Sequence, residues 1–172
     1  MYVFSRLGCG AVLRGAVLAG FFACTSAASA QDAVLELFWN DYSADGAQDA
    51  VAFGVEYRLR PFATPGRVAF RLVVGATLDA HGNIWVGTGP SAEWSLGPRW
   101  FLEASILPGL YRPAGDGFDL GNDLEFRSTL ALGYRLDDRS FLALALRHVS
   151  NGDTDPFNPG LNGIGLRLYR SF

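Results

Sequence analysis

Near the end of the chain, the run Arg147-His148-Val149-Ser150-Asn151-Gly152 sets an imidazole and a hydroxyl two residues apart. A histidine able to take a proton from a neighbouring serine is the minimum equipment for nucleophilic acyl chemistry. In an extended strand successive side chains alternate between faces, so His148 and Ser150 share a face with Leu142, Leu144 and Leu146. On the following segment Asn162 shares its face with Ile164, Leu166 and Leu168. If the two segments are neighbouring strands, three polar groups gather at one end of an otherwise apolar surface. The same residues also read as the polar ends of two strands joined through an Asn-Gly turn, and from the spacing alone both readings stand.

The other ionisable residues point elsewhere. His81, within Asp79-Ala80-His81-Gly82-Asn83, reads as a turn residue. Glu56, Arg58, Arg71, Glu103, Glu125 and Arg127 read as ion pairs filling an interior, because buried charges must be paired. The two cysteines, Cys9 and Cys24, both fall within the first thirty residues, so the rest of the chain has no disulfide and no thiolate metal site.

The elements that would position the His-x-Ser pair are strands. From Val51 to Arg60 the odd positions are Val51, Phe53, Val55, Tyr57 and Leu59, and the even ones Ala52, Gly54, Glu56, Arg58 and Arg60. The same period of two runs through Val68–Leu78 and Phe126–Tyr134. Turn-rich stretches divide the chain into eight strands at 32–40, 50–60, 67–78, 84–96, 100–111, 124–135, 140–150 and 162–172. The polar face mixes Gly and Ala with Glu and Arg rather than the Ser, Thr, Gln and Lys of a solvated surface, which suits the cramped interior of a small closed barrel. The apolar face then meets lipid, and strands of ~9–11 residues fit a tilted membrane crossing. The expected fold is all-β, a closed eight-stranded antiparallel transmembrane barrel over residues 31–172, with a candidate active-site hairpin at 140–172. The connection at 60–67 is long for a turn at the end of the barrel that carries the termini.

Residues 1–30 carry Arg6 and Arg14, an apolar stretch from Gly15 to Cys24, and a small-residue ending Ala28-Ser29-Ala30. This is the pattern of a cleaved signal for export through the Sec route. Without it, 12 arginines face 17 acidic residues, a net charge of −5. The chain has 172 residues, no lysine, and only 18% charged residues, so a nucleic-acid partner and a disordered chain are both excluded. The ending Ile164, Leu166, Leu168 and Phe172 is similar to the signal that outer-membrane barrels present to their insertion machinery, with Arg170 where an aromatic is usual.

Residues 147–162, Arg-His-Val-Ser-Asn-Gly-Asp-Thr-Asp-Pro-Phe-Asn-Pro-Gly-Leu-Asn, resemble the active-site segment of the outer-membrane lipid A 3-O-deacylases, the PagL family. The resemblance extends more weakly to Asn83-Ile-Trp-Val-Gly-Thr-Gly and Phe101-Leu-Glu-Ala-Ser-Ile-Leu-Pro-Gly-Leu-Tyr. It implies Ser150 as nucleophile, His148 as general base, and Asn151 and Asn158 as residues that supply or arrange oxyanion donors. The family's third catalytic member, a Glu that orients the His, is Asn162 here, with Asp153 or Asp155 as substitutes. It further implies an outer-membrane location and lipid A of lipopolysaccharide as partner and substrate. It requires no cofactor and no metal, and it leaves homodimerisation open. Two rival expectations are a non-catalytic barrel that binds lipopolysaccharide or stabilises the envelope, and a soluble exported barrel for a small apolar ligand.

Overall fold

The structure is a computed structural model that describes residues 31–40, 49–115 and 117–172; the expected export signal lies outside the described residues. Eight strands follow in chain order: β1 (Asp32–Asn40), β2 (Ala50–Arg58), β3 (Val68–Asp79), β4 (Ile84–Ser95), β5 (Trp100–Arg112), β6 (Leu124–Arg135), β7 (Ser140–Ser150) and β8 (Leu161–Ser171). Each pairs antiparallel with the next, and β1 closes on β8 from Asp32↔Ser171 to Asn40↔Gly163. Closure removes the sheet edges, the condition under which β-structure can lie in hydrocarbon.

Alternation sorts the side chains as the period of two requires. Leu142, Leu144 and Leu146 on β7 are exposed, and so are Ile164, Leu166 and Leu168 on β8 and Phe53 and Val55 on β2. A continuous band of large apolar side chains therefore faces outward, which removes the soluble-barrel expectation, since water would meet that band directly.

Between the outward residues lie the small and charged ones. Arg58, Arg127 and Arg167 are among the largest fully buried side chains, with Glu103 and Glu125 beside them in burial. Arg167 binds Glu36 at 2.9 Å and Glu103 at 2.8 Å and also bonds Glu56. Arg147 reaches Glu36 at 2.8 Å, and Arg127 pairs with Glu56 and, at 3.5 Å, with Glu36. Nearer the termini Arg58 holds Asp32 at 3.1 Å, Glu93 at 2.9 Å and Glu103 at 3.2 Å. The interior is an ion-pair lattice, as expected from Glu56, Arg58, Glu103 and Arg127. Glu125 departs from that expectation: it is fully buried and, among the described residues, makes no ion pair, sitting at the far mouth away from the arginine layer. Three central members, Glu36, Arg147 and Arg167, were not among the expected set. Glycines make the room: a Cβ on Gly75 would lie 2.8 Å from an Arg127 nitrogen, and one on Gly133 would enter the Phe101 ring.

The long 60–67 connection is partly sheet. Leu59 N–H donates to Leu72 O at 2.9 Å, Phe62 N–H to Phe70 O at 2.9 Å, and Phe70 N–H to Ala63 O at 2.8 Å. Beyond the end of β2 the chain therefore stays pinned to β3 as an arm, until Pro65 and Gly66, with φ at 60°, turn it into the strand. The turn between β6 and β7 is tight for a different reason: the Asp137 carboxylate accepts the backbone N–H groups of Arg139 at 2.7 Å and Ser140 at 2.8 Å. Those bonds hold its carboxyl below the usual range.

Candidate active site

The register of β6, β7 and β8 builds the site. Ser128 pairs with His148 and His148 pairs with Asn162, so three polar side chains form a row across three strands. One pair further into the membrane band the row is Leu130, Leu146 and Ile164, and the next is Leu132, Leu144 and Leu166. The apolar belt thus stops directly beneath the histidine. Ser150 is the next outward position on β7, opposite Phe126 and half-buried.

His148 Nδ1 lies 2.8 Å from Asn162 Oδ1. An amide oxygen can only accept, so this bond requires the imidazole proton on Nδ1 and leaves Nε2 as the acceptor. The bond follows from the register, because the two residues are directly opposed on adjacent strands. Asp153 and Asp155, the alternative orienting groups, are engaged elsewhere: Asp153 accepts Asn158 Nδ2 at 2.9 Å, and Asp155 accepts the Phe157 N–H at 2.9 Å. Ser150 Oγ makes no hydrogen bond to the imidazole in this structure.

A second wall of the site comes from the β7–β8 loop. Gly160 is buried in the left-handed region at φ 68°, and a Cβ there would stand 3.0 Å from His148 Cε1 and 3.7 Å from Nε2. Only glycine both adopts that conformation easily and leaves the ring this space. The Asn158-Pro159-Gly160 run therefore delivers the chain to the edge of the imidazole.

Asn151 is completely buried, and both hydrogens of its side-chain amide are committed, to Leu120 O at 3.2 Å and Phe157 O at 2.9 Å. Its backbone N–H donates to Asn158 Oδ1 at 3.2 Å. Asn151 thus arranges the loop rather than offering a side-chain donor. Asn158 spends one amide hydrogen on Asp153 and has a second remaining.

Sequence reading missed the part played by the β5–β6 connection. Leu120 is fully buried, packed with Trp85, Leu107, Tyr111 and Val149 in the far mouth of the barrel. Tyr111 Oη–H donates to Phe118 O at 2.8 Å, and Asn122 Nδ2 to Thr154 Oγ1 at 3.3 Å. Gly121, at φ 95°, lies so close to the hairpin that a Cβ would run into the Phe157 carbonyl oxygen. The loop 113–123 is plugged into the barrel by Leu120 and clamps the 151–160 loop through Asn151. The lone apolar Leu in the Asp119-Leu120-Gly121-Asn122 run was the available signal. Among the described residues no group of His, Asp or Glu side chains is placed to hold a metal ion.

The model of the family described as lipid A 3-O-deacylase (PagL) matches residues 51–170, well over half of the chain. Among solved structures, the chain is similar to the crystal structure of the outer membrane enzyme PagL, with TM-score 0.66 at 18% identity, over 82% of this chain and 99% of that one. It is also similar to a de novo designed transmembrane β-barrel, with TM-score 0.57 at 10% identity, over 83% of this chain and 94% of that one. Neisserial surface protein A gives 0.52 at 12% identity, over 83% of this chain and 96% of that one. At such identities these likenesses speak for the fold: an eight-stranded outer-membrane barrel. No curated protein sequence matches. The family match spans β2 to β8 and includes the His148, Ser150 and Asn162 positions, and on that extent the chain belongs to the outer-membrane lipid A 3-O-deacylase (PagL) family.

Proposed function

We propose that the chain is a serine esterase that removes an ester-linked acyl chain from lipid A, with Ser150 as nucleophile, His148 as general base and Asn162 as the residue that orients the imidazole. The observation that carries this reading is the 2.8 Å bond from His148 to Asn162 at the upper border of the lipid-facing belt, with Ser150 on the same face. With both termini in the periplasm, that border meets the headgroups of the outer leaflet. The acyl tail stays in hydrocarbon beside Leu146 and Ile164 while its ester reaches Ser150.

His148 Nε2 takes the Ser150 proton as Oγ attacks the ester carbonyl. The tetrahedral intermediate collapses with cleavage of the ester C–O bond, and the imidazolium returns the proton to the departing sugar hydroxyl. Water, deprotonated by the same imidazole, then releases the fatty acid from Ser150. The remaining Asn158 amide hydrogen and the backbone N–H groups of the loop are the candidate oxyanion donors. The deciding experiment is mass spectrometry of lipid A from cells that express the chain. Loss of one ester-linked acyl group with the parent, and none with Ser150→Ala, is the expected result. Lipid A left intact by a folded parent would move the chain to the non-catalytic barrels.

Asn162 sets the strength of the base. An amide holds the ring but cannot offset the imidazolium charge that develops as Ser150 loses its proton, whereas a carboxylate can. Asn162→Glu should therefore raise the hydrolysis rate, and Asn162→Ala should lower it below the parent. Equal rates for all three would remove Asn162 from the mechanism.

The clamp gives a test away from the reacting groups. Gly121→Ala places a methyl against Phe157 O and must displace one loop from the other. A misplacement of ~1 Å at the reacting atoms can cost ~10²-fold in rate. The variant should lose activity on that scale while its unboiled gel mobility remains that of a closed barrel. Full activity would mean that the clamp does not position the site.

A further inference from the structure

We propose that the rim of the barrel bearing both termini is a binding surface for anionic phospholipid headgroups, with the arm between β2 and β3 as its main element. The proposal rests on the membrane placement of the barrel and is independent of the Ser150–His148 reading.

The arm is pinned to β3 by the backbone bonds of Leu59, Phe62 and Ala63, so its main chain has a fixed course along the rim. Phe62 is 64% exposed, and its ring lies 6.3 Å from that of Phe70, which has the outward parity of Leu72 and Val74. Phe62 therefore extends the lipid-facing band just past the end of β2. Arg60 and Arg67 flank it, both exposed, and no acidic residue occurs between Leu59 and Phe70. Two guanidinium groups around an aromatic at the edge of an apolar belt match a phosphate headgroup whose acyl chains continue along the barrel wall. A free phosphate would use the arginines and give Phe62 no role.

Across the same rim the pattern recurs. Arg99 donates to Tyr134 Oη at 2.9 Å, with its guanidinium carbon 5.8 Å from the ring centroid, and Trp100 meets Tyr134 edge-on at 5.0 Å. Arg170, outward on β8, donates to Ser140 Oγ at 2.7 Å. Among the described residues the exposed acidic side chains of this rim are Asp137 and Asp138, which share their turn with Arg139, while Asp32 and Glu93 are engaged by Arg58 inside the barrel. The opposite end is of opposite sign. Three of its four connections carry aspartates and Asp79 ends β3 at the fourth, while its single arginine, Arg112, is paired with Asp123. A negatively charged leaflet is therefore attracted to one end of the barrel only.

The test uses the full folded protein in vesicles of phosphatidylcholine, with trace spin-labelled phosphatidylglycerol or spin-labelled phosphatidylcholine. The measured quantity is the fraction of each label immobilised at the protein surface. Phosphatidylglycerol should be preferred by the parent, and the preference should fall ~fivefold for each of Arg60→Gln and Arg67→Gln. Arg112→Gln at the other end should leave it unchanged, and the Arg60→Gln/Arg67→Gln double variant should keep the parent's hydrolysis rate in detergent. High salt should erase the preference in the parent itself, a reading that does not depend on any variant folding. Equal association of the two lipids with the parent, a preference that survives the double variant, or one indifferent to salt would each overturn the proposal.

Discussion

Ser150→Ala and His148→Ala are each expected to slow hydrolysis of the lipid A ester by ~10⁴-fold or more, and the double variant is expected to be no slower than either alone. In the proposed mechanism the two groups act as one unit: without the imidazole the hydroxyl keeps its proton, and without the hydroxyl the imidazole has no nucleophile to activate. Neither change opens a cavity, because both side chains lie on the outer wall, where substitutions change stability by ~0.5 kcal/mol or less. The unfolding midpoint of each variant should therefore match the parent. Initial rates on purified lipid A, with barrel closure checked by gel mobility, measure both halves. Additive losses, or a Ser150→Ala enzyme with near-parental rate, would place the nucleophile elsewhere.

The largest stability effect belongs to Arg167. It is wholly buried and bonds three carboxylates, those of Glu36, Glu56 and Glu103. Arg167→Ala removes the cation they share and leaves buried negative charge short of a partner, which costs ~3–5 kcal/mol. Arg139→Ala, in the exposed turn between β6 and β7, should cost ~0.5 kcal/mol or less. Urea unfolding of the two variants in the same detergent provides the comparison. Equal midpoints would mean that water enters the interior and screens the lattice.

Most of the barrel could be read from the sequence because period-two alternation and turn residues are local signals. The eight strands match the expected ones to within two residues at every end. The His148–Asn162 contact was also legible, since β7 and β8 are joined directly and register follows from parity. The β1 contribution was obscured for a physical reason: Val34 and Phe38 face inward while Leu35, Leu37 and Trp39 face outward, so apolar residues occupy both faces and hide Glu36 between them. Arg147 and Arg167 lie in strands whose outward leucines carried the signal. The clamp from Leu120 and Gly121 to the 151–160 loop links segments about thirty residues apart in irregular backbone, where no periodicity operates. Within the arm, residues 61–66 read as a loop from their Pro and Gly, and their pairing with β3 depends on a register that composition does not encode.

The interior lattice divides its charges by position along the chain. In its central layer the acids Glu36, Glu56 and Glu103 come from β1, β2 and β5, and the bases Arg127, Arg147 and Arg167 come from β6, β7 and β8. The β1–β2 hairpin thus contributes carboxylates to this layer and the β7–β8 hairpin contributes guanidiniums, so neither can neutralise itself in hydrocarbon. Neutrality arrives only when β1 meets β8. An open, half-inserted sheet would hold Glu36 and Glu56 in the membrane away from their guanidinium partners on β6, β7 and β8, at a cost of several kcal/mol per ion. Charge pairing in the central layer therefore couples entry into the bilayer to closure of the last seam.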